Sequence, residues 1–168
     1  MKFVPALSLL VAASLPFTAM AESESPMAVN IKRLSMESAL TVAKAAVEAC
    51  RKEGIQIGVT VVDRGGNPQV VLRDVLAPDL TLNISKQKAY TAISFIATTS
   101  SMENRFTTPF AVAKVDGLVM SAGGVPIQAG GIVYGAVGVS GAPSGVTDEM
   151  CAQAGVDAIK DDLEMEGL

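Results

Sequence analysis

GGVPIQAGGIVYGAVGVSGAPSGVTDE, from Gly123 to Glu149, decides how this chain folds. Most of the fifteen glycines lie within or beside it, without the spacing of a phosphate-binding loop. Two apolar strands stand out, Val125 to Gln128 and Ile132 to Ser140, separated by Ala129-Gly130-Gly131. Glycine accepts positive φ without a Cβ clash, so the separator reads as a tight hairpin loop. Gly135 and Gly138 sit inside the second strand. Interior glycines weaken a strand and are kept where another backbone or a flat ligand comes close. Beyond Gly141-Ala142-Pro143, Thr147-Asp148-Glu149 signals a helix start, and a helix is expected from Asp148 to Glu164 with Ala152, Val156, Ile159 and Leu163 inward.

The pattern upstream is similar. Ser35 caps a helix to about Lys52, with Ala39, Leu40, Ala43, Ala46, Val47 and Cys50 forming its apolar stripe and Gly54 closing it. Ile55 to Val62 alternates as a strand. Asp63 begins a turn through Gly65-Gly66-Asn67, where its carboxylate suits an Asx-turn, and Gln69 to Arg73 is the return strand. Pro78 breaks the following loop. Ser85 is read as the cap of a second helix ending near Ala97, and Leu118 to Met120 as an edge strand. Tightly turned strands pair antiparallel and leave the helices to cover the sheet, which makes the chain α+β. No glycine pattern follows a strand-to-helix GxGxxG spacing, so a dinucleotide fold is excluded.

Residues 1–21 read as a signal peptide: Met1-Lys2, an apolar run from Phe3 to Phe17, and Ala19-Met20-Ala21 as a small-x-small cleavage site. The run is shorter than the roughly 20 residues a spanning helix needs, so no stable membrane insertion is expected after cleavage. Residues 22–33 read as a flexible leader and 34–168 as one domain. The implied localisation is periplasmic or secreted, from a bacterium. In an oxidising compartment Cys50 and Cys151 either form a disulfide, if the first and last helices pack antiparallel, or stay as two buried thiols. The net charge is −4 and no basic block occurs, which disfavours nucleic acid and anionic membranes as partners.

The chain has no histidine. That removes Ser-His-Asp catalysis, zincin motifs and the commonest proximal haem ligand, and shifts the balance towards binding. No metal site of its own is expected.

Four blocks carry a resemblance: VTVVDRGGNPQVVLR at Val59 to Arg73, KAYTA at Lys88 to Ala92, GGVPI at Gly123 to Ile127, and YGAVGVSGAPSGVTDE at Tyr134 to Glu149. Their order resembles the GlcG/HbpS-like family of haem-binding proteins, and also the C-terminal domain of PduO-type corrinoid proteins. The chain departs from many relatives at Arg73 to Leu80, which reads RDVLAPDL where they carry R-M-D-G-A. The resemblance implies one five-stranded antiparallel sheet with flanking helices, like profilin or roadblock modules, and a homo-oligomer. It implies a binding protein for haem or a related planar tetrapyrrole, non-catalytic or weakly catalytic. The alternative is an enzyme or accessory factor acting on a small carboxylic acid such as a 2-hydroxy acid.

Candidate ligand-binding residues are Arg73, Lys88, Gly123, Gly124, Tyr134 and Gly135. Arg73 and Lys88 offer charge to a propionate or carboxylate, and the glycines allow close approach. If haem binds, iron ligands must come from Tyr90, Tyr134, Met102 and Met120, or from Cys50 and Cys151 if reduced. Asp148 reads as a cap of the last helix rather than a ligand contact.

Overall fold

The computed structural model describes residues 25–108 and 112–166, so the signal-peptide segment lies outside the described residues. Contacts divide the chain after Asn30. Residues 25–30 contain no helix or strand, and the domain runs from Ile31 onward.

The domain's elements are α1 (Met36–Lys52), β1 (Gly58–Asp63), β2 (Pro68–Arg73), α2 (Leu80–Phe95), β3 (Gly124–Ala129), β4 (Ile132–Ser140) and α3 (Gly145–Glu166), with short 3-10 turns at Ser100–Met102 and Val112–Lys114. The α1 boundaries follow local chemistry. The Ser38 amide donates to the Ser35 hydroxyl at 3.1 Å, and Gly54 closes the far end at φ 75°. Gly130 and Gly131 take φ 56° and 78° between β3 and β4, as a two-residue hairpin turn with both φ values positive requires.

The described strands form one antiparallel sheet in the order β2-β1-β4-β3. This corrects the expectation of five strands. Leu118 to Met120 is not a strand, because the Val119 amide donates to the Thr91 hydroxyl on α2 at 2.9 Å and docks that segment on a helix. Pro126 lies within β3, an edge strand, where a residue that cannot donate to a ladder is tolerated.

Helices cover both faces. On one, α1 and α3 pack against Val59, Val61, Ile127, Val137 and Val139. On the other, Ala89, Ala92 and Ile93 of α2 meet Val62 and Ala136. Every residue of β1 is consequently buried. The second helix lies at backbone contact with the sheet. Thr60 pairs with Gly138, which pairs with Gly124, in one row across three strands. A Cβ at Gly138 would meet the Ser85 carbonyl and Ala89 backbone, and one at Gly124 the Lys88 carbonyl. The close partner of these interior glycines is therefore a helix.

Ser85 is not the cap of α2. The helix starts five residues earlier, at Leu80, after Pro78, whose carbonyl accepts from the Thr81 amide. Ser85 is fully buried and shares a 2.9 Å hydrogen bond with Thr60 on β1, which satisfies both hydroxyls inside the α2 layer. The last helix likewise starts before its expected position, at Gly145, where Ser144 accepts from the Thr147 amide at 3.1 Å.

Cys50 and Cys151 are bridged, with Cα atoms 5.5 Å apart. The bridge joins the end of α1 to the first turns of α3 inside the core, resolving the alternative left open by sequence. Among the described residues no helix is long and apolar enough to cross a membrane.

Candidate functional site

The candidate residues separate into three places. Lys88, Gly123 and Gly124 meet at the start of β3. The Lys88 ammonium donates to the Asp148 carboxylate at 2.7 Å, and both side chains are more than nine-tenths buried. Asp148 also accepts from the Ala142 amide at 2.9 Å. Its expected capping role passes to Ser144, and its own task is to tie α3 to α2. A Cβ at Gly123 would stand 2.7 Å from the Lys88 nitrogen, so the positive-φ glycine leaves room for the pair. Glu149 accepts from the amides of Ser100 and Gly123, and Glu103 from that of Ala122. These contacts fasten the segment between α2 and β3.

Gly135 lies opposite Asp63 and Ile127, beside the irregularity where the β3–β4 register shifts. A Cβ there would collide with the Val62 carbonyl. Asp63 accepts from the amides of Gly65 and Asn67 at 2.8 and 2.9 Å, the Asx-turn expected of it.

Arg73 ends β2 and lines a cavity of about 470 Å³ with residues of α1. Its guanidinium donates to the Ala77 carbonyl and pairs with the exposed Asp79 at 2.9 Å.

Tyr134 lines another cavity, of about 410 Å³, within the range of small-molecule sites. The N-terminal approach to α1 supplies Lys32, Arg33 and Leu34; the β3–β4 hairpin supplies Ile132 and Tyr134; the end of α3 supplies Leu163. Tyr134 is 6% exposed, and its hydroxyl has no hydrogen-bond partner among the described residues. Arg33 pairs with Asp63 at 3.4 Å, while Lys32 has no carboxylate within 4 Å among the described residues. An apolar wall, a phenol, two cations and the Glu166 carboxylate thus share one space.

The other candidate iron ligands do not line this cavity, and Tyr90 is 42% exposed. Met102 is fully buried. Tyr90 lies on α2, where its ring would meet a Cβ placed at Gly66. Both cysteine sulfurs are consumed in the bridge. Lys32 and Arg33 were absent from the sequence-based candidates because they fall in the segment read as leader. Their signal was a basic pair just before the first core residue, Leu34.

Three carboxyls titrate abnormally. The Arg51 guanidinium, bonded to Asp74 at 2.7 and 2.9 Å, holds that carboxyl below its ordinary value. Burial pushes Asp63 up, but the Asn67 and Gly65 amides and Arg33 outweigh it, so its net displacement is downward. Burial pushes Asp148 up against the opposing hydrogen bonds from Lys88 and Ala142. The lowered pair contributes stability above the unfolded value of 3.8, lost as pH falls through the folded values. Asp148 has the opposite sign: its contribution is present below 3.8 and lost as pH rises through its folded value. Urea midpoints should therefore drop steeply on acidification below about pH 4, and Asp74→Asn should flatten that drop. A profile unchanged in the variant would contradict the assignment.

A family model described as haem degrading protein, HbpS-like, matches residues 34–157. Among solved structures, a double mutant of HbpS from Streptomyces reticuli is 36% identical, with a TM-score of 0.75, covering 86% of this chain and 99% of that one. ORFY from Klebsiella pneumoniae is 25% identical, with a TM-score of 0.76 and coverage of 81% and 97%. PduOC, solved as a complex with haem, is 26% identical, with a TM-score of 0.68 and coverage of 76% and 95%. No curated protein matches.

Proposed function

The chain belongs to the HbpS-like family, and from that premise we propose that it binds haem or a closely related planar tetrapyrrole in the Tyr134 cavity. The observation that carries this reading is the cavity of about 410 Å³ that Tyr134 lines together with Lys32, Arg33 and an apolar wall. A tyrosine oxygen is an established type of axial ligand for haem iron, and no histidine competes for that role. Lys32 and Arg33 would take the propionates, and Ile132 and Leu163 would meet the ring. Haem would supply one-electron and oxygen chemistry; the protein's part is binding and orientation. The Lys88–Asp148 pair and Gly123 support the site indirectly, by holding β3 and β4 between α2 and α3.

Haem titration tests this. A saturable Soret shift is expected, weakened roughly ten-fold or more in Tyr134→Phe, with Arg73→Ala unchanged. The absence of a saturable shift in the wild type would overturn the reading.

We further propose export and self-association. The disulfide suits an oxidising compartment, and Ala19-Met20-Ala21 suits cleavage. Around the outer end of β2 and the start of α2, Val71, Val75, Leu76 and Leu80 are 45–79% exposed, beside an unpaired sheet edge. A monomer would normally hide such a surface. Periplasmic protein should start at Glu22 by intact mass and scatter light as a dimer or larger. A monomer mass at micromolar concentration would contradict the association.

A further inference from the structure

We propose that the cavity between α1 and β2 is a second binding site, for a small monocarboxylate with a short apolar chain. It is separate from the Tyr134 cavity and stands independently of the haem reading.

The site follows from where the sequence places charge. Lys44, Val47, Glu48 and Arg51 recur at i, i+3, i+4 and i+7, so they share one face of α1. Facing them, Leu72 and Arg73 end the edge strand β2, and the half-open space between is about 470 Å³. Val47 is buried and Leu72 half-buried, and together they give the space an apolar floor.

The charges above that floor are unbalanced in their pairing. Both Asp74 oxygens are taken by Arg51, and Asp74 also accepts from the Val75 amide at 3.0 Å. Glu48 accepts from the remaining Arg51 arm at 2.8 Å. All three Arg51 guanidinium nitrogens are thus engaged by Asp74 and Glu48. Its neighbour in sequence, Cys50, is bridged to α3, which fixes this wall. Lys44 has no carboxylate within 4 Å among the described residues. Arg73 bonds through one terminal nitrogen, to the Ala77 carbonyl and the solvent-exposed Asp79, leaving its other donors free among the described residues.

The Lys44 ammonium and the remaining donors of Arg73, beside Val47 and Leu72, fit one carboxylate head and a few methylenes. A dicarboxylate would find no second pair of free donors there, and an uncharged alcohol would leave Lys44 without a counter-charge.

Octanoate is a suitable probe, followed by amide NMR on the full mature chain. Saturable shifts are expected at α1 and β2 residues around the cavity. Lys44→Gln, an exposed substitution that leaves the core untouched, should weaken octanoate roughly ten-fold, as should Arg73→Gln. Octanol should bind more weakly than octanoate, and haem affinity should be the same in both variants as in wild type. Shifts without saturation, equal affinity for octanoate and octanol, or unchanged affinity in both variants would overturn the proposal. Haem displacing octanoate, with both ligands weakened by Lys44→Gln, would also overturn it, by making this cavity the haem site.

Discussion

Replacing Cys50 and Cys151 together with alanine should lower unfolding free energy by about 4–5 kcal/mol in the chain-entropy model. The bridge spans a sequence separation of 101, so its removal releases a long loop in the unfolded chain. Both cysteines are fully buried between α1 and α3, and alanine leaves small cavities that add to the loss. Urea denaturation of the oxidised wild type and the double variant measures the effect. Equal midpoints would contradict it. A reductant should shift the wild-type midpoint towards that of the variant and leave the variant unmoved.

The second large effect concerns Lys88. Lys88→Met should cost about 3–5 kcal/mol, because it strands the Asp148 carboxylate in a buried site with only the Ala142 amide as partner. The double variant Lys88→Met/Asp148→Leu should recover most of that loss, since two packed apolar side chains replace two desolvated charges. If the double variant were as unstable as the single, the cost would lie in packing against Gly123 rather than in the orphaned charge. The single variant should also regain stability as pH falls, because protonating Asp148 removes that charge.

This pair shows what sequence reading can and cannot reach. Lys88 and Asp148 are 60 residues apart, and each has a local role open to it, a solvated lysine and a helix cap. Their meeting depends on α2 and α3 converging on the start of β3, which no local pattern encodes. The same reason hid Ser85: a serine before an apolar stripe reads as a cap, and only the Thr60–Gly138–Gly124 row explains why it is buried beneath a longer helix. The missing fifth strand was decided by one side chain, Thr91, taking the Val119 amide. Other local readings held. Ser35 and Gly54 bound α1, Asp63 holds its turn, and Gly130-Gly131 makes the hairpin.

The candidate site divides in the same way. Tyr134 and Arg73 each line a cavity. They line different ones, because they stand on β2 and β4, with β1 between. Lys32 and Arg33 escaped notice because polar residues before a first helix carry no periodicity. Their partners across the cavity, Ile132 and Leu163, come from a hairpin and a helix end far along the chain.

The measurement that tests the central claim most directly is the electronic spectrum of ferric haem bound to wild type and to Tyr134→Phe. A phenolate-type ligation signature is expected in the wild type, with no histidine-ligated form, and its loss is expected in Tyr134→Phe at unchanged urea stability. Identical spectra and affinities for the two proteins would contradict a site built around Tyr134.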